Sequence, residues 1–140
     1  MTRTDDALRA FIGIRKGSDT LERLVRSDVR NYDLNITEFA VLELLFNKGP
    51  QAIQQIKARV LIASSSTTYV IDKLCEKGLL YRKQDDVDKR IIFATLTHKG
   101  EQLMADIFPQ HAARITDAFD RLSSTELKEL GRLLKKLDGQ

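Results

Sequence analysis

The chain has 140 residues, 42% of them hydrophobic and 31% charged, with one cysteine, no tryptophan and a net charge of +3. A chain of that length suits one domain that buries about two thirds of its unfolded surface, so neither a disulfide nor a metal is needed to hold a core. The lone cysteine excludes an internal disulfide, and MTRTDDALRA has no signal-peptide core. No apolar run approaches the roughly 18 residues of a membrane span, so a cytoplasmic protein without a membrane partner is expected.

Helical patterns dominate. Residues 5–30 carry Leu8, Phe11, Ile12, Leu21, Leu24, Val25 and Val29 at helical spacing, with an interruption expected at Gly17. So long a stripe calls for a partner, in this chain or in a second copy. Asn35 with Glu38 has capping-box spacing for a second helix, whose Phe39, Val41, Leu42, Leu44, Leu45 and Phe46 are apolar nearly all round. Gly49-Pro50 ends it. Residues 52–60 form a short helix, Leu61-Ile62-Ala63 a turn, and residues 64–77 another helix that ends at Gly78. Two short helices about a tight turn make a helix-turn-helix, whose second helix enters the major groove.

Residues 79–83 and 91–97 then read as a two-stranded hairpin with the charged tip Asp85-Asp86-Val87-Asp88-Lys89-Arg90, the outline of a wing. Thr97 caps a helix over 98–121, which Pro109 should kink or split. Ser123-Ser124 opens a last helix with the stripe Leu127, Leu130, Leu133, Leu134, Leu137. The fold class expected is mainly α, an α+β winged helix.

On a wheel of the 64–77 helix, Thr67, Val70, Ile71 and Leu74 face inward, and Ser65, Ser66, Thr68, Tyr69, Asp72 and Lys73 face out. Short hydroxyls at a helix N-terminus can approach base edges and phosphates, helped by the unpaired amides of the first turn. The candidate DNA contacts are therefore Ser64, Ser65, Ser66, Thr68, Tyr69 and Lys73, with Asp88, Lys89 and Arg90 from the wing. The serines also suit plain capping, and the wing tip also suits a solvated turn.

Asp72-Lys73-Leu74-Cys75-Glu76-Lys77-Gly78-Leu79-Leu80, and Asp88-Lys89-Arg90 followed by Leu96-Thr97 and Lys99-Gly100, resemble the recognition-helix and wing signatures of the MarR family of bacterial winged-helix regulators. With the helix from Thr37 to Leu45, the resemblance covers almost the whole chain. It implies a sequence-specific regulator of transcription, a ligand-responsive repressor that binds double-stranded DNA at a pseudo-palindromic operator. It implies that Asp88 braces Arg90 for the minor groove. It implies a homodimer, in which residues about 1–34 and 98–140 interlock around winged-helix lobes of residues about 35–97. It also implies a crevice for a small aromatic or phenolic effector, for which Phe11, Arg15, Phe39, Phe108 and His111 are the lining candidates, though each aromatic also suits plain core.

Cys75 departs from the family pattern, and no cysteine lies in residues 1–30, where the peroxide-sensing branch carries its reactive thiol. A thiol-redox response through Cys75 is the alternative switch. Its flanking Glu76 and Lys73 or Lys77 push a thiol in opposite directions, so reactivity is not legible. A winged-helix module that binds protein instead of DNA is a second alternative. An enzyme is not expected: the serine run has no nucleophile motif, there is no Gly-rich phosphate loop, and one Cys with the isolated His98 and His111 has no metal-ligand spacing. No cofactor or metal is expected.

Overall fold

The computed structural model describes residues 1–60 and 66–139. The turn Leu61-Ile62-Ala63 and the candidate contacts Ser64 and Ser65 lie outside the described residues. The order is α1 (Arg3–Val29), a 3-10 turn (Arg30–Tyr32), α2 (Ile36–Lys48), β1 (Gln51–Ala52), α3 (Ile53–Arg59), α4 (Thr67–Glu76), β2 (Leu80–Gln84), β3 (Ile92–Leu96), α5 (His98–Ala118) and α6 (Ser124–Leu137).

The helix starts follow from local chemistry. Reciprocal capping boxes open α1 (Thr2 with Asp5), α2 (Asn35 with Glu38) and α6 (Ser123 with Glu126). The Thr97 hydroxyl accepts from the Gly100 amide at 3.0 Å to open α5. At the end of α4 the Leu79 amide bonds the Leu74 carbonyl and the Gly78 amide bonds the Cys75 carbonyl, both at 3.0 Å. This is a Schellman stop with Gly78 at φ 76°, and Leu74 and Leu79 are both buried against it.

The core is α2, sheathed by α3, α4, the sheet and the first half of α5. Leu42, Ile56, Ile71, Leu74, Met104, Val29 and Val41 are fully buried, and each large apolar side chain so buried contributes roughly 1.5–3 kcal/mol.

Three expectations are corrected. The wing is not a lone hairpin, because β1 pairs antiparallel with β3 to give the order β1-β3-β2. A two-residue strand carries no periodicity to read. Gly17 does not interrupt α1, which runs through as one helix. Pro109 does not split α5 either. Pro109 and Ala105, whose carbonyl loses its helical donor, both lie on the exposed side, where water can take the carbonyl while Met104, Ile107 and His111 pack inward.

Two elements stay uncovered. Leu8, Phe11, Ile12 and Ile14 of α1 are exposed, as are Leu127, Leu133, Leu134 and Leu137 of α6, which buries no residue at all. The protein exposes 10125 Å², whereas a folded monomer of 15.9 kDa should expose about 7400 Å².

Candidate nucleic-acid interface

The recognition helix α4 divides its faces as the wheel predicts. Thr67, Val70, Ile71 and Leu74 are buried, and Thr68, Tyr69 and Asp72 are exposed, Tyr69 at 63%. Ser66 holds the N-cap position but makes no side-chain capping bond. Capping therefore does not account for its hydroxyl, which stays available beside the unpaired amides of the first turn. Lys73 is half-buried, 5.5 Å from the Tyr69 ring centroid and 3.5 Å from Glu76. Its ammonium is thus shared between that ring and that carboxylate.

The wing tip is a built turn. Asp85 Oδ2 accepts from the Val87 amide at 3.2 Å and the Asp88 amide at 2.8 Å. Gln84 Nε2 donates to the Lys89 carbonyl at 2.8 Å. Asp88 grips Arg90 on two sides: Oδ1 accepts from the Arg90 amide at 3.1 Å and from Nε at 3.0 Å, and Oδ2 from Nη2 at 3.0 Å. The Arg90 side chain is nonetheless 91% exposed. The acidic residues thus have structural work in shaping the turn and holding the guanidinium fork. Arg90 bonding holds the Asp88 carboxyl below its ordinary range, and the same bonds raise Arg90. A lowered carboxyl keeps the brace at neutral pH and loses it only as the pH falls through that lowered value. Lys89 is exposed beside it.

One pairing was not legible. Arg82, in the middle of β2, forms an ion pair with Asp72 and also donates to Cys75 Sγ at 3.7 Å. It joins the wing to the recognition helix. The residues are ten apart, and only the Gly78 turn brings them face to face.

Cys75 is half-buried. Burial pushes its thiol up, with Arg82 pulling it down and Asp72 pushing it up. The sequence neighbours Glu76 and Lys73 are not its controlling charges. A raised thiol is a poor nucleophile at neutral pH. Cys75→Ser is expected to bind DNA within about twofold of wild type, and oxidant is expected to act on both alike. Oxidant release of DNA from wild type only, read by gel shift, would restore the redox reading.

The five effector candidates separate. Phe39 and His111 are buried with ring centroids 4.6 Å apart, and Phe108 is half-buried with its ring 6.0 Å from His111 and 5.6 Å from Phe46. His111 Nε2 lies 3.1 Å from Glu43 Oε2, and Nδ1 lies 3.9 Å from Asp28, which is only 3% exposed and ion-paired to Arg114. This is a packed junction of α1, α2 and α5. Phe11 and Arg15 stand apart on exposed α1, stacked on each other at 5.7 Å. None of the five lines the main groove, an open space of about 1260 Å³ between α1, α2 and α6 with walls that include Ile14, Leu21, Ala40, Leu44, Leu133 and Leu137. Among the described residues no group of His, Cys, Asp and Glu is arranged to hold a metal, and no helix is long and apolar enough to cross a membrane.

Comparison with known proteins agrees with this geometry. Residues 34–92 match the model of the MarR family. The chain is 42% identical over 134 residues to the HTH-type transcriptional regulator MhqR of Bacillus subtilis (strain 168), covering 96% of this chain and 92% of that protein. In fold it is similar to Sco3205, a MarR family transcriptional regulator from Streptomyces coelicolor solved in complex with DNA (TM-score 0.83, 22% identity, 99% of this chain and 91% of that one). It is likewise similar to BpsR of Bordetella bronchiseptica, whose DNA binding is regulated by 6-hydroxynicotinic acid (TM-score 0.81, 22% identity, 93% and 98%). A recognition helix and wing of this geometry, carried by a chain matched to a transcriptional regulator along nearly its whole length, place the protein in the MarR family, as a DNA-binding transcriptional regulator and not an enzyme.

Proposed function

We propose that the protein is a cytoplasmic, homodimeric, ligand-responsive repressor of a pseudo-palindromic operator. Ser66, Thr68 and Tyr69 (with Ser64 and Ser65) would read the major groove, and Arg90, held by Asp88, the minor groove. The observation that carries the DNA reading is the doubly braced yet 91% exposed Arg90 fork at the tip of a rigid wing. A fixed, exposed guanidinium suits a narrow minor groove of high negative potential. Lys73 and Lys89 would add phosphate contacts.

The dimer reading rests on uncovered apolar surface. The exposed faces of α1 and α6 and an excess of roughly 2700 Å² over a compact monomer are the scale of a stable two-fold interface. Residues 1–34 and 98–140 would then be the dimerisation helices around the 35–97 lobe. A second copy seated against α1 would also bring Phe11 and Arg15 into a shared crevice near the Phe39–Phe108–His111 junction. There a small aromatic or phenolic effector would act by its different affinity for two spacings of the recognition helices. BpsR, whose DNA binding answers to 6-hydroxynicotinic acid, lends this effector class support.

The test is a gel shift with the duplex upstream of the protein's own gene, repeated with a panel of phenols, quinones and oxidants. Light scattering accompanies it. Wild type is expected to be a dimer at micromolar concentration, and L133D/L137D a monomer with operator affinity lowered by about a hundredfold or more. A monomeric wild type that still binds the full operator would defeat the dimer reading.

A further inference from the structure

We propose that Lys77 is the positioning residue that locks the recognition helix to the dimerisation helices, and that it sets which half-site spacing the regulator accepts. The inference rests on the dimeric DNA-binding reading above.

Lys77 caps the C-terminal end of α4. Its Nζ donates to the Asp33 carbonyl at 2.7 Å and lies 3.2 and 3.0 Å from Glu38 Oε1 and Oε2. Asp33, at φ 57°, is the left-handed corner between the end of α1 and the start of α2. The Glu38 side chain is only 6% exposed, and the same carboxylate caps α2 by accepting from the Asn35 amide at 3.0 Å. The Lys77 carbonyl in turn accepts from Lys99 Nζ of α5 at 2.9 Å. One residue is thus tied by its side chain to the α1–α2 corner and by its backbone to α5.

Among the described residues, the side-chain ties of Asp72 and Cys75 on α4 go to Arg82 and reach only the wing, and the Asp72–Arg82 partners are 53% and 34% exposed. A solvated pair is weak and screened, whereas a buried carboxylate that loses its ammonium is left as an uncompensated buried charge. Burial of Val70, Ile71 and Leu74 holds α4 down but is non-directional. The Lys77 bonds specify direction.

Lever arithmetic makes this consequential. Thr68 lies nine residues from Lys77, about 13 Å along the helix. A tilt of about 5° at the clamp moves the contacting end by roughly 1 Å, more than a hydrogen bond tolerates. Movement of the α1–α2 corner reaches the DNA-contacting end directionally through the Lys77 side chain, so removing that side chain leaves the end of α4 tied to α5 alone, through the Lys77, Gly78 and Leu79 carbonyls.

The experiment uses full-length protein and the duplex that wild type recovers from a randomised pool. Variants of that duplex have the half-sites one base pair closer and one base pair further apart, and an unrelated duplex is the control. Wild type is expected to prefer the recovered spacing by about tenfold or more, and Lys77→Met by less than about threefold, with affinity for unrelated duplex unchanged. Lys77→Arg should restore the preference. The double variant E38Q/K77M, which leaves no unpaired buried carboxylate, should lose it while melting close to wild type. If the double variant keeps wild-type spacing preference, or if all duplexes weaken in proportion as the melting temperature falls, Lys77 is only a structural residue and the inference is overturned. If wild type recovers no duplex, the DNA-binding reading fails first and takes this inference with it.

Discussion

Arg90→Ala is expected to weaken binding to operator and unrelated duplex alike, by about 1–3 kcal/mol per subunit. The expected size follows from the geometry of the wing. Asp85 and Gln84 make the turn rigid, and Asp88 holds the fork in place, so little ordering cost remains to be met on binding. Groove width is not base identity, so the loss should be nearly uniform across sequences. The plot of log affinity against log salt should become shallower by about one unit per lost contact. Ser66→Ala and Tyr69→Ala should instead change which sequences are preferred and leave the salt slope almost intact. Fluorescence polarisation across a salt series separates the two patterns. An Arg90→Ala protein with unchanged affinity and slope at physiological salt would remove the wing from the interface.

Gly100→Ala is expected to destabilise the fold by about 1–3 kcal/mol, although alanine elsewhere in a helix gains up to about 1 kcal/mol over glycine. A Cβ at position 100 would come closer than 3.0 Å to the Leu79 carbonyl oxygen and within 3.2 Å of Leu96 Cδ2. The obstacle is backbone, and it cannot swing aside. That carbonyl accepts from the Thr97 amide at 3.0 Å, while the Thr97 hydroxyl donates to the Gly78 carbonyl at 2.6 Å. Displacing α5 to make room therefore pulls on the end of the recognition helix. Thermal melts should fall by several degrees, and operator affinity should fall with them. A melt at or above that of wild type would show that the α4–α5 approach is looser than the structure has it.

Both variants lie in the second of the two motifs that carry the family resemblance, and the structure gives both motifs a physical reading. In the first, Leu74, Lys77, Gly78 and Leu79 are the parts of one Schellman stop and its tether. In the second, Asp88 and Arg90 are the wing brace, and Thr97, Lys99 and Gly100 are where α5 docks on that stop. The stop and the wing brace act within a few residues of themselves and so are legible in a single chain, whereas the Lys77 tether and the docking of α5 span about 20 to 40 residues and are not.

Local chemistry therefore determined the helix starts, the glycine stops and the inward face of α4, because capping, periodicity and turn preference act over three or four residues, whereas the pairing of Asp88 with Arg90 came from the family resemblance. The strand it missed, β1, is two residues long and exists only because β3 offers it an edge. The expected break at Gly17 and the expected split at Pro109 failed because a breaker's cost depends on its surroundings: Pro109 falls where water can serve the freed carbonyl, and Gly17 inside a helix that continues on both sides. Only the tertiary structure decided that Arg82 meets Asp72, that Lys77 rests on Glu38, that burial raises the Cys75 thiol, and that Phe39, Phe108 and His111 pack together while Phe11 and Arg15 do not join them. Those contacts join residues on different elements, and no periodicity along the chain encodes which of several exposed charges or rings will be brought within reach when the elements close on one core.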